Sequence, residues 1–272
     1  MEDYPLSAAA FEAVRKLLRE HTGINLGPQK QAMVRSRLIK RLRARGIGDF
    51  ETYLAGVQGP ESEEWGPFVN ALTTNLTSFF REQHHFDFLV AHFTAHPPAG
   101  GRLRFWSAGC STGEEPYTLA MVMAASFPDL DVQIRATDVD TNVLATAERG
   151  IYPLERVDKL PPEWLRFAFQ KGTGPHAGQA RVRRELRAMI SFGVFNLLGS
   201  GGWPEPGSLD VIFCRNVMIY FDKPTQRTLL ARFRAALAPG GLLLVGHSEA
   251  LLDASLGFES LGSTVYRRRE AP

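Results

Sequence analysis

The 272 residues give room for one large domain or two smaller ones, and 44% hydrophobic with 22% charged residues is the composition of an ordinary globular protein. A formal net charge of +2 carries no argument for nucleic acid, and no apolar run reaches the roughly 18 residues of a membrane span. The opening "MEDYPLSAAAF" lacks a basic segment ahead of an apolar core, and Cys110 and Cys214 form no C-x-x-C pair, so a reducing cytoplasm is the expected setting.

The first third reads as helices. "LSAAAFEAVRKLLREHTG" opens on Ser7 as a cap, places Phe11, Val14, Leu17 and Leu18 at helical spacing, and stops at Gly23. A second helix is expected from Pro28 to Arg45, with Val34, Leu38 and Leu42 as its apolar stripe and Gly46 as its stop. A third covers "DFETYLAGV" behind Asp49, and a fourth covers "ESEEWGPFVNALTT". After "PPAGG" the pattern changes. Strand-length apolar runs, "LRFWSA", "VQIRATD", "MISFGV", "LDVIFC" and "GLLLVGH", alternate with the helical stretches "EPYTLAMVMAASF", "TNVLATAERG" and "KPTQRTLLARFRAALA". That alternation predicts a mostly parallel sheet covered on both faces. "KGTGPHAGQARVRRELRAMISF" fits no strand-helix-strand unit and reads as an insert with short strands.

The loop "SAGCSTGEEPY" follows the first strand of that sheet, where ligands bind in open α/β folds. Gly109 and Gly113 allow close backbone approach, and the helix beyond them offers free N–H groups. A polyphosphate would suit those groups, but Glu114 and Glu115 would repel it by about 4 kcal/mol at contact distance near a protein surface. The acids favour a cationic or hydroxyl-rich ligand. Asp138, closing "RATD", stands where an acid hydrogen-bonds ribose hydroxyls in nucleotide folds. S-adenosylmethionine joins a ribose to a positively charged tail and meets both requirements. Two alternatives stand beside it. The acids complement a helix dipole, or Gly109–Gly113 is a G-x-S-x-G elbow whose Ser111 works with Asp210 and His247 in the chain order of an α/β-hydrolase. Against the elbow, only helices precede "LRFWSA", and no HGGG-type loop is present.

Longer strings carry a specific resemblance. "NALTTNLTSFFRE", "WSAGCSTGEEPYTLAM", "ATDVDTNVLATAERGIY", "FNLL", "VIFCRNVMIYFDKPTQ" and "GGLLLVGHSE", in this order, resemble the chemotaxis receptor glutamate O-methyltransferases, the CheR family. The resemblance spans nearly the whole chain. It implies an all-α N-terminal domain followed by a Rossmann-like S-adenosylmethionine-dependent methyltransferase domain with a small antiparallel β-subdomain. The corresponding division is 1–74 helical, 75–98 linker and cofactor-contacting segment, and 99–272 methyltransferase domain, with the β-subdomain at about 155–190. It also implies methyl transfer from S-adenosylmethionine to receptor glutamates, leaving S-adenosylhomocysteine.

By motif, Asn75, Thr77, Arg81, Glu115, Asp138, Asn196, Leu197, Arg215 and Asn216 are the implied cofactor-binding residues, with Arg81 and Tyr220 the implied catalytic pair. Glu115 is preferred over Glu114 as the acid facing the ligand. Read locally, Asn75 and Thr77 also suit the cap of a helix starting near Ser78, Tyr220 suits a core aromatic, and Arg81 suits a pair with Glu82 or Asp87. No metal site is expected, because the adjacent His84 and His85 should point to different sides of a helix.

Charge is uneven. Between Arg15 and Arg45 stand ten Lys or Arg residues and one acid, Glu20. Arg37, Lys40 and Arg41 share a helix face without compensating acids nearby, which suits an acidic protein helix; no recognised nucleic-acid-binding signature accompanies them. In the resembled family this helix faces the receptor's cytoplasmic helical bundle, and the β-subdomain binds a receptor C-terminal peptide in some members. The competing function is a cofactor-binding adaptor that has lost catalysis, which intact Arg81 and Tyr220 disfavour.

Overall fold

The computed structural model describes residues 4–251 and 256–270. The N-terminal part packs four helices around one core. Helix α1 (Ala8–Thr22) is capped by Ser7 Oγ, which accepts the Ala10 N–H at 3.0 Å, and ends at Gly23 with φ +74°. Helix α2 (Gln31–Arg45) follows a 3-10 turn at Pro28–Lys30 and stops at Gly46, as the sequence predicts. Helix α3 (Phe50–Gly56) starts on the Asp49 cap. Helix α4 (Trp65–Leu72) is shorter than the expected stretch, because residues 59–64 close into tight turns. Phe11, Val14, Leu18, Val34, Leu38 and Leu42 are buried together, so the helical periodicity read from the sequence is the packing face.

An extended segment then leads to helix α5 (His84–Ala95) and the sheet. In chain order the remaining elements are β1 (Arg102–Ala108), α6 (Glu114–Ser126), β2 (Asp131–Asp138), α7 (Thr141–Arg149), β3 (Ile151–Pro153), α8 (Pro162–Ala168), β4 (Phe169–Lys171), β5 (Gln179–Val182), α9 (Arg184–Ala188), β6 (Ile190–Val194), β7 (Leu209–Cys214), α10 (Lys223–Ala236), β8 (Leu237–Val245), β9 (Phe258–Gly262) and β10 (Val265–Arg268). The main sheet runs β6-β2-β1-β7-β8-β10-β9. Its first five strands are parallel, and β10 and β9 complete it antiparallel. The last two strands went unassigned in the sequence.

Successive side chains of each strand enter opposite layers. Phe105 and Phe213 lie in one core, under α5 and α6; Trp106 and Ile212 lie in the other, under α10. Residues 116–123 of α6 are buried all round, because the small sheet β3-β5-β4 and helix α8 cover its outer side. That sheet is the expected insert, though its first strand begins at Ile151, ahead of the range read from the sequence. The chain leaves β1 for β2 on one side and later returns to β7 on the other. This reversal opens a crevice at the carboxyl ends of β1 and β7.

Candidate active site

The turn after β1 is fixed by backbone geometry. Gly109 and Cys110 both donate their N–H to the Thr137 carbonyl, at 2.8 and 2.9 Å, holding the turn on β2. Gly109 has φ +97°, and a Cβ there would run into the Val217 side chain. Gly113 has φ +95°, and a Cβ would stand 2.8 Å from Ala147 Cβ and 2.9 Å from the Tyr152 hydroxyl. Glycine is therefore required here by packing between the loop and its neighbours, not only by ligand approach.

Helix α6 then separates the two adjacent acids. Glu114 is buried and bound by the Thr112 hydroxyl at 2.6 Å and by Arg156 from the insert. Glu115, about 100° further round the helix, faces the crevice. It accepts the Ser107 hydroxyl at 2.7 Å, and Arg215 Nη1 at 3.3 Å. Burial raises the Glu115 carboxyl above its usual range, against the opposing pull of Arg215 and Ser107.

Asp138, at the end of β2, accepts the backbone N–H of Ser111 at 2.8 Å and of Asp140 at 3.0 Å. Its carboxyl too is raised by burial, in spite of those bonds. The neighbouring Asp140 caps α7 and ties down the segment before α5, accepting Thr73 Oγ1 at 2.5 Å and Asn75 Nδ2 at 2.8 Å. Asn75 is thus an anchor of the extended segment and caps no helix at Ser78.

A cavity of about 240 Å³ lies between this edge and the N-terminal helices. Every residue expected to touch the cofactor lines it, as does Tyr220. Arg81 donates to the Leu76 carbonyl at 2.7 Å, turning back on its own loop instead of pairing with Glu82 or Asp87. Asn196 donates to the His21 carbonyl, and its Oδ1 accepts the Leu198 N–H at 2.9 Å; its amide is occupied in joining the two halves of the molecule. Arg215 is buried and also donates to the Arg81 carbonyl. Asn216 adopts φ +60°, with its N–H held at 2.7 Å by Glu249 Oε2. Glu249 also accepts Gly246 N–H at 2.7 Å and Ile219 N–H at 3.0 Å, so one buried carboxylate shapes the whole loop that carries Arg215, Asn216 and Tyr220.

Sequence reasoning missed this anchor, and it missed the roof. Residues 24–27 line the cavity, and Asn25 N–H donates to the Tyr220 carbonyl at 2.8 Å. The only signal for Glu249 was an acid standing just after the apolar run "GGLLLVG".

The donor set suits S-adenosylmethionine. Two partly buried carboxylates, Glu115 and Asp138, carry charge at an energetic cost that a cationic or hydroxyl-bearing ligand relieves. No histidine is among the described residues lining the cavity.

The disfavoured elbow falls away, and two expectations need correction. Ser111, Asp210 and His247 form no triad: Ser111 Oγ donates to the Asn75 carbonyl at 3.2 Å, while Asp210, near the start of β7, binds Arg104 at the far end of the sheet. The rings of His84 and His85 do not diverge but stand 4.2 Å apart, and with Glu82 they bring ligand-type atoms within 4.8 Å of one another. Arg215 Nε occupies the same neighbourhood, 3.5 Å from Glu82 Oε2, and its charge opposes a metal ion there.

Arg37, Lys40 and Arg41 do not present one uncompensated face. Arg37 donates to the Leu72 and Thr73 carbonyls at 3.2 and 2.6 Å, closing the C-terminus of α4. Arg41 clasps Glu64, at the N-terminus of α4, with two bonds of 2.7 and 2.9 Å. Glu64 also accepts the Tyr53 hydroxyl at 3.0 Å. The compensating acid comes from α4, across the helix pair, where spacing along α2 could not reveal it. Lys40, Arg43 and Arg45 are exposed in this part of the helix; Arg43 lies over the Tyr4 ring at 5.7 Å, and Arg45 stands 3.8 Å from Glu64.

Residues 9–73 match the family described as CheR methyltransferase, all-alpha domain, and residues 75–267 match CheR methyltransferase, SAM binding domain. The chain is 48% identical over 265 residues to a chemotaxis protein methyltransferase of Klebsiella aerogenes, covering 96% of this chain and 90% of that protein. It is 46% identical over 271 residues to chemotaxis protein methyltransferase 2 of Pseudomonas aeruginosa, covering 97% and 95%. With the chemotaxis protein methyltransferase of Escherichia coli it shares 45% identity over 268 residues, covering 97% and 92%.

Proposed function

The chain belongs to the CheR methyltransferase family, and from that premise we infer that its crevice is where S-adenosylmethionine meets a receptor glutamate. The protein is an S-adenosylmethionine-dependent methyltransferase that converts glutamate side chains of chemotaxis receptors to methyl esters, as its named relatives indicate. The observation that carries the site assignment is the pair of partly buried carboxylates, Glu115 and Asp138, on the walls of one cavity.

When bound, the cofactor supplies a methyl group on a sulfonium. Glu115 is proposed to receive its ammonium and Asp138 its ribose hydroxyls. Asn75, Thr77, Asn196, Leu197 and Asn216 complete the walls, and Arg215 sets the charge of Glu115. A free glutamate, with a pKa of about 4.3, is already ionised at neutral pH, so the acceptor needs no general base. The chain's contribution is alignment, for which about 7–11 kcal/mol is available in favourable cases. A tight arginine clamp on the acceptor would lower its nucleophilicity. Arg81 therefore orients the cofactor's carboxyl group, and Tyr220 stands nearer the acceptor.

The receptor bundle is proposed to dock on α2 through Lys40, one of the three cations read from the sequence, together with Arg43, since Arg37 and Arg41 are engaged within the helical part. The small sheet leaves β3 and β4 as open edges, which suits strand addition by a receptor tail peptide. Among the described residues no helix is long and apolar enough to cross a membrane. The proposed division remains a helical part to residue 74, a contact segment to 98, and the methyltransferase domain beyond.

Calorimetry with S-adenosylhomocysteine tests the site. Asp138→Ala removes an ionised acceptor of the kind worth about 1.5–3 kcal/mol per hydrogen bond, so binding weakens at least tenfold by about that margin. Equal binding by both proteins would remove Asp138 from the site. Transfer of labelled methyl from S-adenosylmethionine to receptor, in base-labile form, tests the reaction itself.

A further inference from the structure

Arg215 is shared between two carboxylates. Its Nη1 lies 3.3 Å from Glu115 Oε2, and its Nε lies 3.5 Å from Glu82 Oε2. Its third contact is a hydrogen bond to the Arg81 carbonyl. The guanidinium is almost wholly enclosed, with 3% of its side chain exposed, and it lies over the faces of Phe86 and Phe213. If Arg215 faced Glu115 alone, the pair would be neutral and would offer a cationic ligand little attraction. With Glu82 included, the three groups Glu115, Arg215 and Glu82 sum to one net negative charge, while Arg81 turns back onto the Leu76 carbonyl.

Glu82 is held for this purpose by an unfavourable backbone. It sits in the left-handed region at φ +54°, in the turn just after Arg81, and it is not glycine. Its carboxylate is reached by His85 Nδ1 of α5 at 3.5 Å and by the His247 N–H, beyond β8, at 3.4 Å. His85 Nε2 is engaged by the Ser263 carbonyl and Thr264 hydroxyl, each at 3.0 Å, so the β9–β10 hairpin backs the cluster.

We propose that Glu82 is a positioning residue for cofactor binding: it takes up the Arg215 guanidinium and so leaves the Glu115 carboxylate available to the ammonium group of S-adenosylmethionine. This rests on the cofactor reading of the crevice given above. The charged and titratable groups around the pair are Arg215 from the end of β7, Arg81 beside Glu82, and His84 and His85 from α5. Cys110 and Cys214 lie near Glu115 with thiols pushed up by burial. Burial and Arg215 push His85 down to about 4, so it is neutral at neutral pH. Burial raises Glu82, but Arg215 and the His247 N–H outweigh it and hold the carboxyl below its usual range. Burial raises Glu115, and the charge of Glu82 raises it further.

The test is S-adenosylhomocysteine titration calorimetry across pH on the wild type, Glu82→Gln, Glu82→Asp and Glu115→Gln. Glu82→Gln is expected to bind roughly tenfold more weakly at neutral pH, a typical coupling between linked groups. The acid limb of its affinity profile should move to lower pH, because Glu115 loses a like-charged neighbour. A loosened loop would weaken binding without moving that limb. Glu82→Asp should restore part of the affinity. Neutral-pH affinity equal to wild type in Glu82→Gln, or weaker binding with an unmoved acid limb, overturns the proposal. Should Glu82→Gln fail to fold, Glu82→Asp carries the test: its retracted carboxylate is expected to raise Kd several-fold, and wild-type binding refutes the assignment. Wild-type binding by Glu115→Gln would instead sink the cofactor reading, which separates the two failures.

Discussion

Arg41→Ala should destabilise the fold while leaving the cofactor site intact. The side chain makes a two-bond clasp on Glu64, at 2.7 and 2.9 Å, with Arg41 29% and Glu64 10% exposed at the side chain. Hydrogen bonds to a charged group contribute about 1.5–3 kcal/mol each when buried, and partial exposure of the arginine reduces that. After truncation Glu64 keeps the Tyr53 hydroxyl at 3.0 Å and Arg45 at 3.8 Å. The net loss is about 2 kcal/mol, or about 4–8 °C in melting temperature for a chain of this size. Burial raises the Glu64 carboxyl, but the Arg41 and Tyr53 bonds bring it below its usual range. A depressed folded-state pKa contributes stability that is present above the unfolded value and lost as pH falls through the folded one. The gap between wild type and variant must therefore close in acid. Thermal unfolding across pH measures it, with S-adenosylhomocysteine binding as the control. An unchanged melting temperature at neutral pH, or a gap that persists in acid, would refute the role given to the clasp. Slower receptor methylation by Arg41 variants would by itself say nothing about docking.

The docking surface is better tested by Lys40→Glu with Arg43→Glu, which should slow receptor methylation and leave S-adenosylhomocysteine affinity and melting temperature unchanged. Normal methylation rates would place the receptor elsewhere. Cofactor affinity in the wild type should fall as pH falls through the raised pKa values of Glu115 and Asp138, because the ligand prefers both carboxylates ionised. Constant affinity from neutral to mildly acidic pH would argue that neither acid meets the ligand. Tyr220→Phe should lower kcat with little change in the KM for cofactor, whereas Arg81→Ala should raise that KM. The reverse pattern would exchange their assigned roles.

Local patterning made most of the fold legible. Ser7, Gly23, Gly46 and Asp49 bound their helices as capping chemistry requires. Strands β1, β7 and β8 were visible because their buried runs read as continuous apolar stretches, whereas β2 alternates and the edge strand β6 is only partly buried. β9 and β10 lie outside that sheet pattern. Arg267 and Glu259 form an exposed cross-strand pair, and the charges conceal the alternation. The crevice was legible where a residue type has few uses, as with glycines at positive φ and an acid at a strand end. It was illegible where one residue type has several. Glu114 and Glu115 are chemically equal in the sequence, and it is the Thr112 hydroxyl and Arg156, the latter 42 residues on, that assign Glu114 to structure. Arg37 and Arg41 read as a free basic face because their partners, the Leu72 and Thr73 carbonyls and Glu64, become neighbours only when α4 folds back on α2.

The roof of the cavity links these observations. The last turn of α1 and the turn after it close over the site through three hydrogen bonds with the sheet domain: Asn25 N–H on the Tyr220 carbonyl, Asn196 on the His21 carbonyl, and Arg19 on Asp222 at 2.6 Å. Two of these bonds engage the backbone or the cap of the loop that carries Tyr220, and the third holds Asn196. The helical part therefore completes the pocket and also carries the proposed docking face, since α2 begins only a few residues beyond the roof. On that proposal a receptor bound to α2 would press on the element that closes the cavity, and acceptor docking and cavity closure would share one short stretch of chain. This arrangement accounts for the placement of Tyr220, which hangs from the roof at its carbonyl and from Glu249 through its neighbour Ile219. The residue assigned to the acceptor side is held from both domains at once.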